Sequence, residues 1–404
     1  RVIANYTYVD ATKNDLRVDD ADGHGTTVAS LAAGAAVDVW PGGIAPGAKV
    51  VSARIIDDNA DGEDDGTGAA SDEGLGLKRM HAVLMTHGAK VMNNSWGGIT
   101  WTDPLATNVV ADEYRPFVIT HGGLVVFATG NDGADQPAQI AALPSQMGPG
   151  STRPAEDLTR GWLAVTAVDS SDPTLLASYA NACGVAADYC LAAPGTAIFA
   201  DPANTGGPVD FYWGYGTSYA APLVSGAAAL VWERYPYMDN ALVRQTLLGT
   251  ATDLGAPGVD AVFGHGLLDI AKAIKGPGRF DWGDVVVDVN VLGLNSIWHN
   301  DISGAGGLIK RGDGALGLSG TNTYTGDTVI ERGTLALWDG ASLQSDVRLL
   351  AQQERFAPQA ALQFLGGDIV VHGNVDNAGA VLHYSDNTTA TIDGDYVQRA
   401  YARY

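Results

Sequence analysis

Along the first two thirds of the chain, short apolar runs alternate with stretches of helical period. Extended segments are expected at Val2–Val9, Val50–Ile56, Lys90–Asn93, Leu124–Ala128 and Leu163–Val168. Helices are expected at Thr26–Ala36, Gly76–His87, Leu105–Thr120, Ser218–Tyr235 and Ala241–Thr250. Strands that alternate with helices predict an α/β fold with a mostly parallel sheet covered by helices. The texture changes after Ile274. Lys275-Gly276-Pro277-Gly278 breaks the last helix, and the run from Asp284 to Val291 has no helical period. From Leu308 onward, segments such as Thr328–Glu331, Thr334–Leu337, Asp368–His372 and Ala380–His383 are punctuated by Gly, Asn and Asp. That spacing fits rungs of an all-β parallel β-helix, each burying its inward residues against the next. Residues 351–361 interrupt the pattern and read as an excursion from the rungs. The expected division is therefore 1–275 as the α/β domain, 276–300 as a linker and 301–404 as a β-helical stalk.

Composition narrows the function classes. The chain has 404 residues, too many for one compact core. Its 23 Lys and Arg against 46 Asp and Glu leave a net charge of −23, which repels a phosphate backbone and rules out nucleic acid as a partner. With 46% hydrophobic and 17% charged residues, the chain can bury a core and is no disordered acidic tail. Neither a membrane-spanning apolar run nor a signal peptide beginning at Arg1-Val2-Ile3 is expected.

The two cysteines, Cys183 and Cys190, have no second Cys/His pair at zinc-ligand spacing. A local disulfide is the favoured reading, two buried thiols the alternative. Closing so short a loop stabilises by roughly 2.5 kcal/mol on the chain-entropy model, and only in an oxidising compartment. An acidic, Gly-rich, nearly Cys-free chain with one local bridge points to a secreted or cell-surface bacterial protein.

Three segments carry candidate chemistry. In Asp22-Gly23-His24-Gly25-Thr26, a His stands at the start of an apolar helix. In Val126-Phe127-Ala128-Thr129-Gly130-Asn131, a strand ends in Gly-Asn. In Tyr215-Gly216-Thr217-Ser218, a Gly turn presents Ser218 in the first turn of a long helix. A serine hydroxyl is a weak nucleophile until a neighbouring base takes its proton, and histidine supplies that base. The tetrahedral oxyanion that follows needs fixed donors, which an Asn amide and a backbone N–H at a helix N-terminus provide. Asn131 and the Ser218 amide suit that task. Each residue alone also has a bland reading, as a helix cap, a solvated imidazole or a turn.

Taken in order, Gly23-His24-Gly25-Thr26-Thr27-Val28-Ala29, Asn94-Ser95-Trp96-Gly97-Gly98, Ala128-Thr129-Gly130-Asn131 and Gly216-Thr217-Ser218-Tyr219-Ala220-Ala221-Pro222 resemble the motif set of subtilisin-type serine proteases. Gly264-His265-Gly266-Leu267-Leu268-Asp269 is similar to the family's final helix region. The resemblance implies a subtilisin-like fold and a serine endopeptidase acting on protein or peptide substrates. It assigns His24 as general base, Ser218 as nucleophile and Asn131 as oxyanion donor. It also implies that Ser95, Trp96 and Gly97, with Ala128, Thr129 and Gly130, border the substrate, which pairs with the Ser95–Gly97 backbone as an added strand.

The family's chain order is Asp, His, Ser, and here the match lacks its first member. Asp10, Asp15, Asp19, Asp20 and Asp22 precede His24, but none follows a buried apolar strand ending in Asp-x-Gly. No triad acid is assigned. An N-terminal fragment carrying that Asp is expected as a partner, and the chain alone is expected to be poorly active.

No cofactor is required by this chemistry, and no metal ligand set is assigned. The acidic run Asp57–Asp65 is read as a solvated loop, with a Ca²⁺ site as the alternative and a preference for basic substrate residues as a further expectation. The histidines other than His24 are isolated and read as structural or surface residues. In the second half, Gly307–Leu335 resembles the passenger-associated repeat of Gram-negative autotransporters, and Asp393-Gly394-Asp395-Tyr396 is similar to the region before their translocating barrel. The resemblance implies a protease passenger at, or released from, the outer membrane, with a C-terminal translocator barrel in its precursor. A catalytically inactive adhesin or interaction module that keeps the fold is the alternative.

Overall fold

The computed structural model describes residues 1–9, 14–16, 20, 23–56, 74–200, 210–290, 295–351, 360–384, 388–400 and 402. The acidic run from Asp57 lies outside them. The chain divides into two compact units, Arg1–Leu230 with Ala251–Leu268, and Val231–Thr250 with Asp269–Tyr404.

In the first unit the strands are β1 (Val2–Thr7), β2 (Val50–Arg54), β3 (Val91–Asn94), β4 (Leu124–Ala128), β5 (Trp162–Val168), β6 (Cys190–Pro194), β7 (Thr196–Ala200) and β8 (Phe211–Tyr215). The helices are α1 (His24–Ala33), α2 (Lys78–Thr86), α3 (Pro104–Arg115) and α4 (Thr217–Arg234), whose last residues cross into the second unit. Strands β3, β4, β5 and β6 form a parallel sheet in that order, and β1 pairs with β2 in a separate parallel pair. Every residue of β4 and β5 is buried, which explains why both read as continuous apolar runs. Phe127 on β4 stacks on Trp162 of β5, ring centroids 5.3 Å apart, and Tyr114 of α3 meets Trp162 edge-on at 5.0 Å.

The helix ends follow from local chemistry. Asp103 caps α3 by accepting the Leu105 N–H, with Pro104 at the first helical position. The expected helix to Thr120 ends instead at Arg115. Pro116 has no N–H to give, and the chain continues as one wider π-helical turn, Pro116–Thr120. The buried Glu113 carboxylate accepts the N–H groups of Leu75, Gly76 and Leu77, satisfying the start of α2. Cys183 and Cys190 are joined in a disulfide, Cα atoms 5.8 Å apart, so the two-thiol alternative is set aside.

The second unit holds α5 (Asn240–Thr250), α6 (Ile270–Ala273) and a parallel coil of strands. One face stacks Val285–Asp288, Leu308–Arg311, Thr328–Ile330, Val347–Leu349, Val375–Asn377 and Tyr396–Gln398. A second stacks Asn295–Trp298, Ala315–Leu318, Thr334–Trp338, Ala361–Leu365 and Ala380–His383. A third, shorter face begins at Thr321–Asn322 and ends at Ala390–Ile392. All these pairings are parallel, and inward positions such as Leu316, Leu335, Leu362 and Val381 align from rung to rung. This is the expected β-helix, with its first strand at Val285. Lys310 is fully buried in it. Its ammonium donates to the carbonyls of Arg311, Gly312 and Arg332, and burial pushes its pKa down to about 8.

Candidate active site

The first unit brings four sequence-distant segments to the start of α4. Gly216 leads into that helix, donating its N–H to the Gly195 carbonyl, and Ser218 lies in the first turn. There the Ser218 amide has no carbonyl partner four residues back within the helix, so it is available to an outside acceptor. The segment after β3 is fastened to the same turn by reciprocal bonds. Ser95 Oγ donates to the Ser218 carbonyl at 2.7 Å, and Ser218 Oγ donates to the Ser95 carbonyl at 3.3 Å. Asn93 Nδ2 donates to Ser95 Oγ, and Ser225 Oγ, two turns along α4, donates to Asn93 Oδ1. This polar chain locks the end of β3 along α4.

Asn131, just past β4, reaches the same turn. Its Oδ1 accepts both the Thr217 N–H, at 2.8 Å, and the Thr217 hydroxyl, at 3.0 Å. With the oxygen so engaged, the Nδ2 protons are oriented away from Thr217, and no acceptor takes them among the described residues. The Gly130 N–H donates to Thr217 Oγ1.

His24 opens α1. Its ring lies 6.0 Å from that of Tyr219, the residue after Ser218, and is half-buried. Close contact between the two helices makes this approach possible. A Cβ on Gly226 of α4 would stand 3.0 Å from the Ala32 carbonyl of α1 and 2.6 Å from Ile44, so only glycine fits there. Asp20 satisfies the start of α1, its carboxylate accepting the N–H groups of Gly23 and Thr26 and the Thr26 hydroxyl. Of the other upstream acids, Asp15 uses its main-chain carbonyl to accept from Arg54, and Asp10, Asp19 and Asp22 lie outside the described residues.

The residues expected to border a substrate divide into two kinds. Trp96 is buried, its indole N–H donating to Asn94 and its ring set edge-on against Phe127, so it can offer a ligand only main chain. Thr129 spends its polar groups internally. Its N–H donates to Val165, its hydroxyl to the Asn181 carbonyl, and its carbonyl accepts from Ala138 and Asn181. Gly97 and Gly130, the latter with φ near +108°, have no side chain to obstruct an approaching peptide. Asn181 was not expected from the sequence. Its signal is tertiary, since its partners lie about fifty residues earlier. Among the described residues, no group of three or more metal-ligating side chains comes together.

The subtilase family signature matches residues 3–266, nearly two thirds of the chain. The chain belongs to the subtilase family. A passenger-associated transport repeat matches residues 308–337 within the coil. Among relatives, the autotransporter lipoprotein NalP of Neisseria meningitidis serogroup B is 33% identical over 84% of this chain and 33% of its own length. An extracellular serine protease of Serratia marcescens is 29% identical over 79% of this chain and 37% of its own. Subtilisin DY of Bacillus licheniformis is 29% identical over 63% of this chain and 79% of its own. The chain thus spans about a third of the length of the autotransporter relative. The subtilase match covers the segments that converge on α4, while the repeat match falls on the coil.

Proposed function

We propose that this subtilase is a secreted or surface-displayed serine endopeptidase, the passenger of an autotransporter. Ser218 Oγ attacks the scissile carbonyl carbon while His24 takes its proton. The resulting oxyanion accepts from Asn131 Nδ2 and the Ser218 amide. His24 then protonates the departing amine, and water hydrolyses the acyl-enzyme with His24 again acting as base. The substrate backbone pairs with Ser95–Gly97 and passes Gly130, with Ala128 and Thr129 as the floor beneath. The observation that carries the reading is the double fastening of the α4 turn. Asn131 grips Thr217 while Ser95 grips Ser218, so a donor and a nucleophile are held one residue apart.

The triad acid belongs on a further strand supplied from upstream, whether continuous with this chain or as a separate fragment. Among the described residues β2 has only β1 as a neighbour and β3 only β4, which leaves each with an edge able to accept a parallel strand. Side chains of β2 and of the residues after it, Val51, Ile55 and Ile56, pack against the cluster that contains Met92 of β3, so the two edges serve one core. The passenger-associated repeat and the NalP-like relatives support export through a C-terminal translocator barrel and display on a Gram-negative outer membrane. A Ca²⁺ ion held by the acidic run from Asp57 to Asp65 stays a subsidiary proposal, tested by the effect of a chelator on melting temperature.

The decisive test is covalent labelling of the full-length protein by a serine-directed phosphonate. We expect one adduct, on Ser218, absent from Ser218→Ala. An unlabelled but folded protein would leave only an inactive module.

A further inference from the structure

We infer that Asn181 is a positioning residue for the oxyanion donor Asn131, an inference that rests on the hydrolase reading above. Asn181 lies between β5 and β6 and is 2% exposed. Its side-chain amide is saturated by the segment that carries Asn131. Nδ2 donates to the Thr129 carbonyl at 3.1 Å and to the Asp132 carboxylate at 3.2 Å, and Oδ1 accepts the N–H groups of Asp132 at 2.9 Å and Ala134 at 3.0 Å. Its own main chain completes the clamp, the N–H donating to the Gly130 carbonyl and the carbonyl accepting the hydroxyls of Thr129 and Thr166. Asn181 therefore holds the residues on both sides of Asn131 while leaving Asn131 itself untouched. The Asn131 side chain is fixed from the other direction, by Thr217.

Two anchors meeting at one residue define where its free Nδ2 points. The space for this clamp is made by Gly130, where a Cβ would stand 2.5 Å from Asn181 Nδ2. A donor acts on an oxyanion only if it is already in place when charge develops, and a displacement of about 1 Å costs on the order of 10²-fold. In subtilisin itself, losing the oxyanion asparagine costs about 10²–10³-fold in turnover, which sets the ceiling for any residue acting through its counterpart. Asn181 touches neither nucleophile nor base, so its loss should appear in kcat and leave KM unchanged.

The test is a double-mutant cycle in the full-length protein, read by steady-state cleavage of a peptide substrate. Asn181→Ala is expected to lower kcat by about 10- to 100-fold with KM within about 2-fold, and to lower it by less than about 3-fold further in an Asn131→Ala background. Because Asn181 is buried, Asp132→Ala provides a second arm. Asp132 is exposed, and its removal deletes one bond of the clamp without opening the core. A loss of a few-fold in kcat that vanishes in the Asn131→Ala background is expected. Folded Asn181→Ala protein with wild-type kcat, or losses fully additive with Asn131→Ala in either arm, would overturn the role of Asn181 alone. A wild-type protein that neither cleaves peptide nor labels at Ser218 would overturn the hydrolase reading and this inference with it.

Discussion

The two parallel sheets of the subtilase unit are built from similar residues and reach different ends. β4 is Leu-Val-Val-Phe-Ala and wholly buried, flanked on both edges by partners. β2 is Val-Val-Ser-Ala-Arg and half-buried throughout, with one edge unpaired among the described residues. β1, its neighbour, exposes Val2 and Ile3 by about half. A strand with both edges and both faces covered, as β4 has, has completed its pairing. One with an open edge and half-covered apolar side chains has not, because unpaired main-chain groups and wet aliphatic surface both favour another strand. The difference bears on the proposal that the triad acid is supplied on a further strand, which would complete the pair at β2 and face the open edge of β3.

The largest effect tests that placement directly. Peptide cleavage is compared between this chain alone and the chain supplied with the proposed Asp-bearing upstream strand, continuous or added as a peptide. Loss of the orienting carboxylate costs about 10⁴-fold in turnover in serine proteases, so restoring the strand should raise kcat by that order. The same addition should slow hydrogen exchange at Val50–Ala53 and leave β4 unchanged. Equal activity with and without the segment would mean that the triad acid is already present, and the comparison of sheets would lose its functional meaning.

Next in size is stability. Phe127→Ala opens a cavity between Trp162 and Trp96 and should cost about 3–5 kcal/mol in denaturant unfolding. Val51→Ala, on a half-buried strand, should cost about 1 kcal/mol or less in the chain alone. If the upstream strand completes the sheet, the cost of Val51→Ala should rise when that strand is supplied. A cost that stays fixed would break the comparison.

Acid should find the finished side through His81. This side chain is buried on α2, gives its Nδ1 proton to the Glu113 carbonyl at 2.7 Å and packs 4.6 Å from the Tyr114 ring. Burial holds its pKa down at about 4, against 6.5 in the unfolded chain. Between those values the unfolded state binds the extra proton. Stability is therefore full above about pH 6.5 and falls as pH drops toward 4, by up to about 1.4 kcal/mol per pH unit. Unfolding midpoints across that range should show the slope, and His81→Gln should flatten it.

Much of this was legible in the sequence, for identifiable reasons. β4 and β5 are legible because burial on every face demands unbroken apolar runs, and the proposed roles of His24, Asn131 and Ser218 rest on the short local motifs that surround them. β6 escaped notice because Cys-Leu-Ala-Ala-Pro is too small and too short to carry a pattern. The β7–β8 hairpin escaped because Ile198 and Trp213 are exposed, so it lacks the alternation of a half-buried pair. Asn181 was invisible for a deeper reason. Nothing near it in the chain marks an asparagine whose four side-chain bonds all go to residues about fifty positions away. The coil was legible as repeat texture, while its three faces and their register needed coordinates.

The smallest expected effect decides a question that the open sheet raises. Asp20 is the one described acid whose carboxylate sits at the start of the His24 helix, and both its oxygens are already engaged by main-chain and hydroxyl donors of Gly23 and Thr26. If its work is to cap α1, Asp20→Ala should cost about 1 kcal/mol of stability, and Asp20→Asn, which keeps an acceptor, should recover much of it. Turnover, measured with the upstream segment present, should fall only a few-fold, through a less well fixed His24. If Asp20 instead oriented His24 as the triad acid, Asp20→Asn would be as damaging as Asp20→Ala, near 10⁴-fold, because an amide cannot stabilise the imidazolium as a carboxylate does. The ratio of the two variants separates a cap from a catalyst, and a cap is what the proposal of an acid on a further strand requires.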